Sequence, residues 1–404
     1  MFQNTPVQII GESAVQITAY ASENCQPIFA FMARIALNAR LLIPDRLEGI
    51  GWFTHEIYKR IIAHHPEHEF LLIFDRKPDR MFDFGPHVQL IRLLPPARRP
   101  FLYDWWFNQS ISRILKSWCA DVFVSTDGML SMRTKVPQIA VMHDLNFMHH
   151  PEWMPIREAR YYRSRFPRFA QKAARIITVS EFSRQDIHEQ FGIDRDLISV
   201  VGNAPAEEYK PLTSESVRRD EQEKWTGGRP YYAFVGSLHP RKNVNGLLEA
   251  FKLYRHEGGV CELVIVGGNM WSDERQRVPG VHYTGRLDRA SLAALVGASQ
   301  GLIFLPWFEG FGVPLVEAFA CGVPVIASNV TAMPEICGEA AAALVAPSDA
   351  AGAARAMRAL DEDAALREDA VRKGLERAAA FSWEDSARRF WEVIENSMKI
   401  NRVP

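Results

Sequence analysis

Two glutamates bracket the segment Glu309-Gly-Phe-Gly-Val-Pro-Leu-Val-Glu317, which follows directly on the apolar run Gly301–Leu305. In an open parallel sheet, ligands bind beyond the carboxyl ends of the strands, and this loop occupies such an end. Gly310 and Gly312, on either side of Phe311, let the backbone approach a ligand without side-chain obstruction. Pro314, after Val313, suits a first helical turn, where its missing N–H costs nothing. The free N–H groups of that turn attract an anion. Glu317 falls about one turn further in. Two acids around an anion site fit phosphate badly and fit hydroxyl groups well, those of a sugar and a ribose. The competing reading makes Glu309 a solvated loop residue and Glu317 a surface acid; the glycines, the proline and the strand favour a site.

A second constellation is Phe234-Val-Gly-Ser-Leu-His-Pro-Arg-Lys-Asn243, at the end of another apolar run. Gly236 permits a tight exit from the strand. Arg241 and Lys242 then project into a cleft between domains, where two cations stabilise a departing diphosphate. The alternative is a solvated basic pair before a helix, with Asn243 as its cap. Leu47-Glu-Gly-Ile-Gly-Trp-Phe53 offers Gly49 and Gly51, whose amides could touch phosphate or sugar, or which merely loosen a strand–helix turn. The pair lacks the third glycine of a dinucleotide fingerprint. His143 ends the run Gln138–Met142, a place to meet a ligand and equally a place for a satisfied structural histidine. Ser180 ends a further strand and begins a helix, for which N-capping is the better reading.

Asp361-Glu-Asp363 copies a cation-binding Asp-x-Asp pattern, but between two alanine-rich helices it reads as a cap or solvated turn. No metal is expected. The stretch Arg157–Arg175 interleaves seven basic residues with Tyr161, Tyr162, Phe166 and Phe169 against the single acid Glu158. Such a helix either rests on an anionic membrane surface or guides a lipid-diphosphate acceptor, unless it is an ordinary solvated face.

The elements that must position these residues are legible as alternation. Apolar runs of four to seven residues (Arg34–Ala39, Phe70–Phe74, Val88–Leu93, Asp121–Ser125, Gln138–His143, Arg175–Val179) alternate with helical patterns near Trp52–Ala63, Tyr103–Lys116, Ile156–Lys172 and Glu181–Gln190. Near-continuous apolar strands between helices mean a parallel sheet covered on both faces. The polar stretch Asn203–Arg229 reads as a crossing. A second series follows: Tyr231–Val235, Glu262–Val266, Gly301–Leu305, Val323–Ala327 and Ala342–Val345. Its helices lie near Val244–Arg255, Arg289–Ala298, Pro314–Ala320, Ala350–Leu360 and Ala364–Ala379, before a last amphipathic helix Trp383–Ser397. The expected architecture is α/β: two doubly wound Rossmann-like domains facing each other across a cleft. The expected divisions are an N-terminal domain over 32–205, a C-terminal domain over 206–382, and a helix over 383–404 that packs back on the first domain. Residues 1–31 read as a loosely ordered extension, with Met32 resembling a native start.

The chain's 404 residues suit two such domains. Hydrophobic residues at 47% and charged residues at 24% exclude bulk disorder. Lys plus Arg number 47 against 48 acids, which argues against general nucleic-acid affinity. Five scattered cysteines without a Cys-x-x-Cys pair suggest neither a disulfide framework nor a zinc site, and point to a reducing compartment. A cytoplasmic protein is expected.

With its Glu-x7-Glu, Cys321-Gly-Val-Pro-Val-Ile-Ala-Ser328 and Met333-Pro-Glu335, the segment Phe304–Ile336 strongly resembles the retaining nucleotide-sugar glycosyltransferases of family four, which have the GT-B fold. The resemblance runs from about Arg34 to Trp391 and is closest to mannosyltransferase-like members. It implies that Glu309 contacts the donor sugar, that Glu317 holds the nucleotide ribose, that Arg241 and Lys242 clamp the diphosphate, and that His143 contacts the sugar near the reaction centre. Some members carry a basic residue just after the glycine where this chain has Ser237, so the division of work between Arg241 and Lys242 stays open. The resemblance further implies a GDP-mannose donor, no cofactor, and a glycan or lipid-diphosphate-linked acceptor in surface-polysaccharide assembly at the inner membrane face. The rival readings are a catalytically inactive nucleotide- or carbohydrate-binding subunit and a nucleotide-sugar epimerase of the same fold.

Overall fold

The computed structural model describes residues 8–9, 32–44, 47–268 and 278–400. The chain divides into two compact units. The first comprises the residues up to Val179, Ser183–Val201 and everything from Trp383 onward; the second comprises Ser180–Phe182 and Gly202–Ser382.

The first unit is built on eight strands: β1 (Gln8–Ile9), β2 (Arg34–Asn38), β3 (Glu69–Phe74), β4 (Val88–Arg92), β5 (Val122–Ser125), β6 (Gln138–Val141), β7 (Arg175–Thr178) and β8 (Ile198–Val200). Their order is β1-β4-β3-β2-β5-β6-β7-β8. All neighbours are parallel except β1 against β4. β2 lies centrally, with Ile35 opposite both Phe70 and Val122. Ile35, Ala36 and Leu37 are fully buried, as an apolar strand covered on both faces requires. Of the extension expected over 1–31, Gln8–Ile9 form β1; the remainder lies outside the described residues.

The second unit carries β9 (Tyr231–Val235), β10 (Glu262–Val266), β11 (Val281–Gly285), β12 (Gly301–Phe304), β13 (Val325–Ser328) and β14 (Ala343–Val345). They form one all-parallel sheet in the order β11-β10-β9-β12-β13-β14. The order reverses direction between β9 and β12, the switch point at which a doubly wound sheet opens a crevice beyond its strand ends.

The last helix, Trp383–Ile400, belongs to the first unit. It lies along the helix Gly49–His64, where Trp383 and Phe390 surround Phe53 and Trp391 stacks on His65 with ring centroids 3.5 Å apart. Ser386 adds a hydrogen bond to the Val201 carbonyl at 3.1 Å.

Three expectations need correction. The crossing Asn203–Arg229 contains a regular helix, Glu215–Thr226, capped by Ser214 and ended by Gly227 in the left-handed conformation. Only Thr226 of that helix is buried, so it carries no apolar stripe to announce it. The pattern near Tyr103–Lys116 is a helix from Pro100 to Ser117 interrupted by a π-helical segment, Trp106–Ile111. Among the cysteines, Cys261, Cys321 and Cys337 are buried free thiols, whereas Cys119 is disulfide-bonded, a pairing their scatter did not suggest.

Candidate functional site

At the carboxyl end of β12 the chain leaves the sheet through Leu305–Gly312 and enters the helix Val313–Ala320, with Pro314 in its first turn. Gly312 has a φ of 92°, and a Cβ there would lie 2.7 Å from the Met333 Cε, so glycine is required on both counts. Phe311 is buried, its ring edge-on to Phe381, and therefore packs the loop from within. Ser180 donates its hydroxyl to the Gly310 carbonyl at 2.6 Å. The amides of Glu181 and Phe182, at the start of the helix that follows, donate to the Glu335 carboxylate, at 2.8 and 2.9 Å.

The loop after β9 meets this one through Asn243. That residue adopts a left-handed conformation, accepts from the Gly246 amide to cap the helix Val244–His256, and donates to the carbonyls of Leu305 (3.0 Å) and Pro347 (2.8 Å). The single turn Pro240–Lys242, begun by the His239 ring accepting from the Arg241 amide, is thereby fixed beside Glu309. Arg241 reaches one Glu309 oxygen at 3.0 Å and Lys242 ion-pairs with the other. Lys242 also stands over the Phe304 ring, 4.9 Å from its centre. A Cβ on Gly236 would stand 3.3 Å from the Phe234 Cζ, and the Gly236 carbonyl lies 1.9 Å from where a Cβ on Gly267 would fall. No side chain other than glycine fits at 267.

Glu309 is only 7% exposed. Burial pushes its carboxyl up, but Arg241 and Lys242 outweigh that and hold it below the usual carboxylate range. The acid stays ionised, and it is no solvated loop residue. The two cations, read from the sequence as projecting toward a diphosphate, are in this structure engaged with the acid.

Glu317, half-buried one turn into its helix, has a different setting. Burial pushes its carboxyl up to about 8, opposed by a hydrogen bond from Tyr209 and by the charge of Arg289, and reinforced by Glu208. Tyr209, itself buried, went unread because it lies in the polar crossing. The structure does not place Glu317 on the cations that hold Glu309.

In the first unit, His143 follows β6 and its Nε2 lies 3.1 Å from the Thr126 carbonyl. That oxygen can only accept, so Nε2 carries the hydrogen and Nδ1 keeps a lone pair. Burial lowers the His143 pKa, the Phe53 ring meets it edge-on at 4.9 Å, and the imidazole is neutral at pH 7. Gly49 and Gly51 lie within the first turn of the helix Gly49–His64 and not in a loop before it. A Cβ on Gly51 would stand 3.0 Å from the Leu41 carbonyl and 3.2 Å from Leu47 Cδ2, so this glycine serves packing; Gly49 faces open space. Sequence reasoning missed the buried pair Arg40–Asp127, 2.7 Å apart, which ties the ends of β2 and β5 together. An arginine two residues past an apolar strand was the available signal.

The Asp-x-Asp pair is engaged structurally: Asp361 accepts from Tyr232 and Tyr254, and Asp363 caps the helix Ala364–Ala378. Among the described residues, His65, Glu67 and His68 bring three potential ligand atoms together. The Nδ1 of His68 already accepts from the Ala33 amide at 3.1 Å. Its Nε2 therefore bears hydrogen, which a metal ligand cannot. The helix Ile156–Lys172 buries Tyr161, Phe166 and Phe169 and exposes Arg157, Arg160, Arg163 and Arg168.

Two family models divide the chain between them: Glycosyltransferase Family 4 matches residues 47–204, and Glycosyl transferases group 1 matches residues 217–377. The chain is 34% identical to O-antigen chain mannosyltransferase B of Escherichia coli over 261 residues, which covers 61% of this chain and 67% of that protein. It is 24% identical to the serotype-specific mannosyltransferase WbdA of Escherichia coli, over 56% of this chain but only 29% of that longer protein. Among solved structures, Anabaena HepE in complex with UDP and glucose aligns with a TM-score of 0.69 at 17% identity, covering 89% of this chain and 99% of that one. Among the described residues, no helix is long and apolar enough to cross a membrane.

Proposed function

The chain belongs to the family 4 glycosyltransferases, with two parallel-sheet domains of the GT-B fold, and from that premise we propose that it moves a sugar from a nucleoside-diphosphate donor to an acceptor hydroxyl with retention of configuration. Mannose is the leading sugar and GDP-mannose the leading donor, because the mannosyltransferases named above are its relatives. A diphosphate donor is supported further by the UDP bound in the Anabaena structure. The acceptor is a glycan or lipid-linked glycan of a surface polysaccharide, reached at the inner membrane face through a peripheral contact of Arg157–Arg175.

The observation that carries this reading is the Arg241–Lys242–Glu309 cluster beyond the carboxyl ends of β9 and β12. A leaving diphosphate needs charge stabilisation more than an acid, and two preorganised cations supply it. Glu309, kept ionised, grips hydroxyls of the sugar; Glu317 takes the ribose; the neutral His143 offers Nδ1 to a sugar hydroxyl. The helix start behind Gly312 adds the Val313 N–H for a phosphate oxygen, since Pro314 has none and the Leu315 amide donates to the Gly312 carbonyl. A diphosphate oxygen takes the acceptor proton on the same face, so no covalent role falls to Glu309 and no metal step is needed.

The test is a thermal-shift comparison of GDP, UDP and ADP sugars, followed by an assay for nucleoside diphosphate release. Stabilisation by one donor class together with release of its diphosphate supports the reading. Stabilisation without release, with or without acceptor, would make the chain a binding subunit.

A further inference from the structure

One face of the first unit carries a groove that the proposed chemistry leaves unused. It has a volume of about 740 Å3 and lies between the segment Met148–Met154 and the helix Ile156–Lys172. Such a volume is in the range of pockets that enclose a ligand of moderate size. The helix contributes Ile156, Ala159, Arg160 and Arg163, which fall on one helical face at i, i+3, i+4 and i+7. Met148, Pro151 and Met154 supply the apolar opposite wall.

The charge around the groove is one-sided. Arg157, Arg160 and Arg163 are all exposed, whereas the lining acid Glu152 is hydrogen-bonded to His150 at 3.0 Å. Ile156 is 74% exposed, an unusual setting for a large aliphatic side chain beside arginines. The neighbouring helix Pro100–Trp105 repeats the composition: Phe101 is 67% exposed, Trp105 is 40% exposed, and Arg98 and Arg99 precede them at the surface. The two helices are joined by Asp104, which accepts from Tyr161 at 3.1 Å and pairs with Arg165.

We propose that this groove seats the hydrocarbon chain of an anionic lipid, with the lipid phosphate against Arg160 and Arg163. Apolar walls of methionine adapt to a flexible chain. Arginine binds phosphate through two parallel N–H groups, which a phosphate at the groove rim would satisfy. Exposed aromatic side chains with arginines between them are what an interfacial surface needs to rest on lipid headgroups. The proposal deepens the reading of a transferase that serves a lipid-linked acceptor, and rests on that reading for its purpose.

The experiment uses the full chain with three probes: dodecyl phosphate below its micellar concentration, inorganic phosphate, and vesicles of phosphatidylglycerol or phosphatidylcholine. Wild type should bind dodecyl phosphate and the anionic vesicles, and inorganic phosphate at equal concentration should not compete. Arg160→Glu/Arg163→Glu and, separately, Ile156→Asp should each weaken both interactions tenfold or more, with circular dichroism and melting temperature unchanged. These positions are exposed, so folding should survive. Absence of dodecyl phosphate binding, competition by inorganic phosphate, or an Ile156→Asp variant that binds like wild type would overturn the apolar seat. Lipid binding is read without turnover: intact binding with no diphosphate release would sink the transferase reading alone, and the converse would sink the groove alone.

Discussion

Lys242 and Glu309, separated by 67 positions in the chain, form a buried ion pair in which Arg241 takes the second carboxylate oxygen at 3.0 Å. Two cations and one acid leave one net positive charge at the end of a parallel sheet. That arrangement holds both cations on an internal carboxylate, with one positive charge in excess. In the proposed reaction an arriving diphosphate would compete with Glu309 for the cations, and a displaced Glu309 would become available to sugar hydroxyls.

Glu309→Gln tests this competition. The amide keeps the shape and loses the charge, so transfer should fall by about 100-fold or more, the range for loss of one preorganised polar group. Nucleoside diphosphate should meanwhile bind about two- to tenfold tighter, up to about 1.4 kcal/mol. Calorimetric titration reads it, and weaker diphosphate binding in the variant would show that Glu309 assists the phosphates.

A double-mutant cycle addresses stability. Lys242→Met leaves Glu309 buried with one cation and should cost about 2–4 kcal/mol, since removal of one partner strands a buried charge. Lys242→Met/Glu309→Gln should recover more than half of that loss. Denaturant midpoints decide, and additive losses would mean that the pair is not coupled.

Glu317 gives a pH signature. Its carboxyl is pushed up to about 8 by burial, from an ordinary value of 4.5. A group that binds its proton more tightly when folded adds stability that is full below 4.5 and lost as pH rises through 8. Glu317→Gln should therefore flatten the decline in melting temperature across that window. Parallel profiles for the two proteins would contradict the burial.

Asn243→Ala removes a helix cap and the hydrogen bonds to Leu305 and Pro347 in a left-handed backbone. A cap contributes about 1 kcal/mol and each hydrogen bond about 0.5–1.5, so a loss of about 2–4 kcal/mol is expected in thermal unfolding. A near-neutral effect would mean the two loops are held together by other contacts.

Gly49 and Gly51 should separate cleanly. Gly51→Ala forces contact with the Leu41 carbonyl and should lower stability, while Gly49→Ala meets nothing and should leave stability equal or slightly raised. If Gly49 approaches the donor, its alanine variant should bind donor less well at unchanged melting temperature. Unchanged affinity would remove Gly49 from the site.

What the linear sequence determined is what local pattern encodes. β9, β10 and the helices Ile156–Lys172 and Arg289–Ala298 fall at the residues their patterns predict, because continuous apolar runs and helical spacing are properties of neighbours in the chain. The alternation of strands with helices was legible for the same reason, and so was the motif from Glu309 to Glu317, whose Gly312 and Pro314 state their backbone demands outright. The helix Glu215–Thr226 was not legible, since it buries almost nothing, nor was the edge strand β11, whose Val281–Gly285 are only partly buried. Only tertiary structure decided which charges meet. Asn243 must cross to Leu305 before Lys242 can find Glu309, and Tyr209 must fold back before Glu317 acquires a partner and a raised pKa. Ionisation depends on burial and on partners many tens of residues away, and those exist only once the sheets have brought their strand ends together.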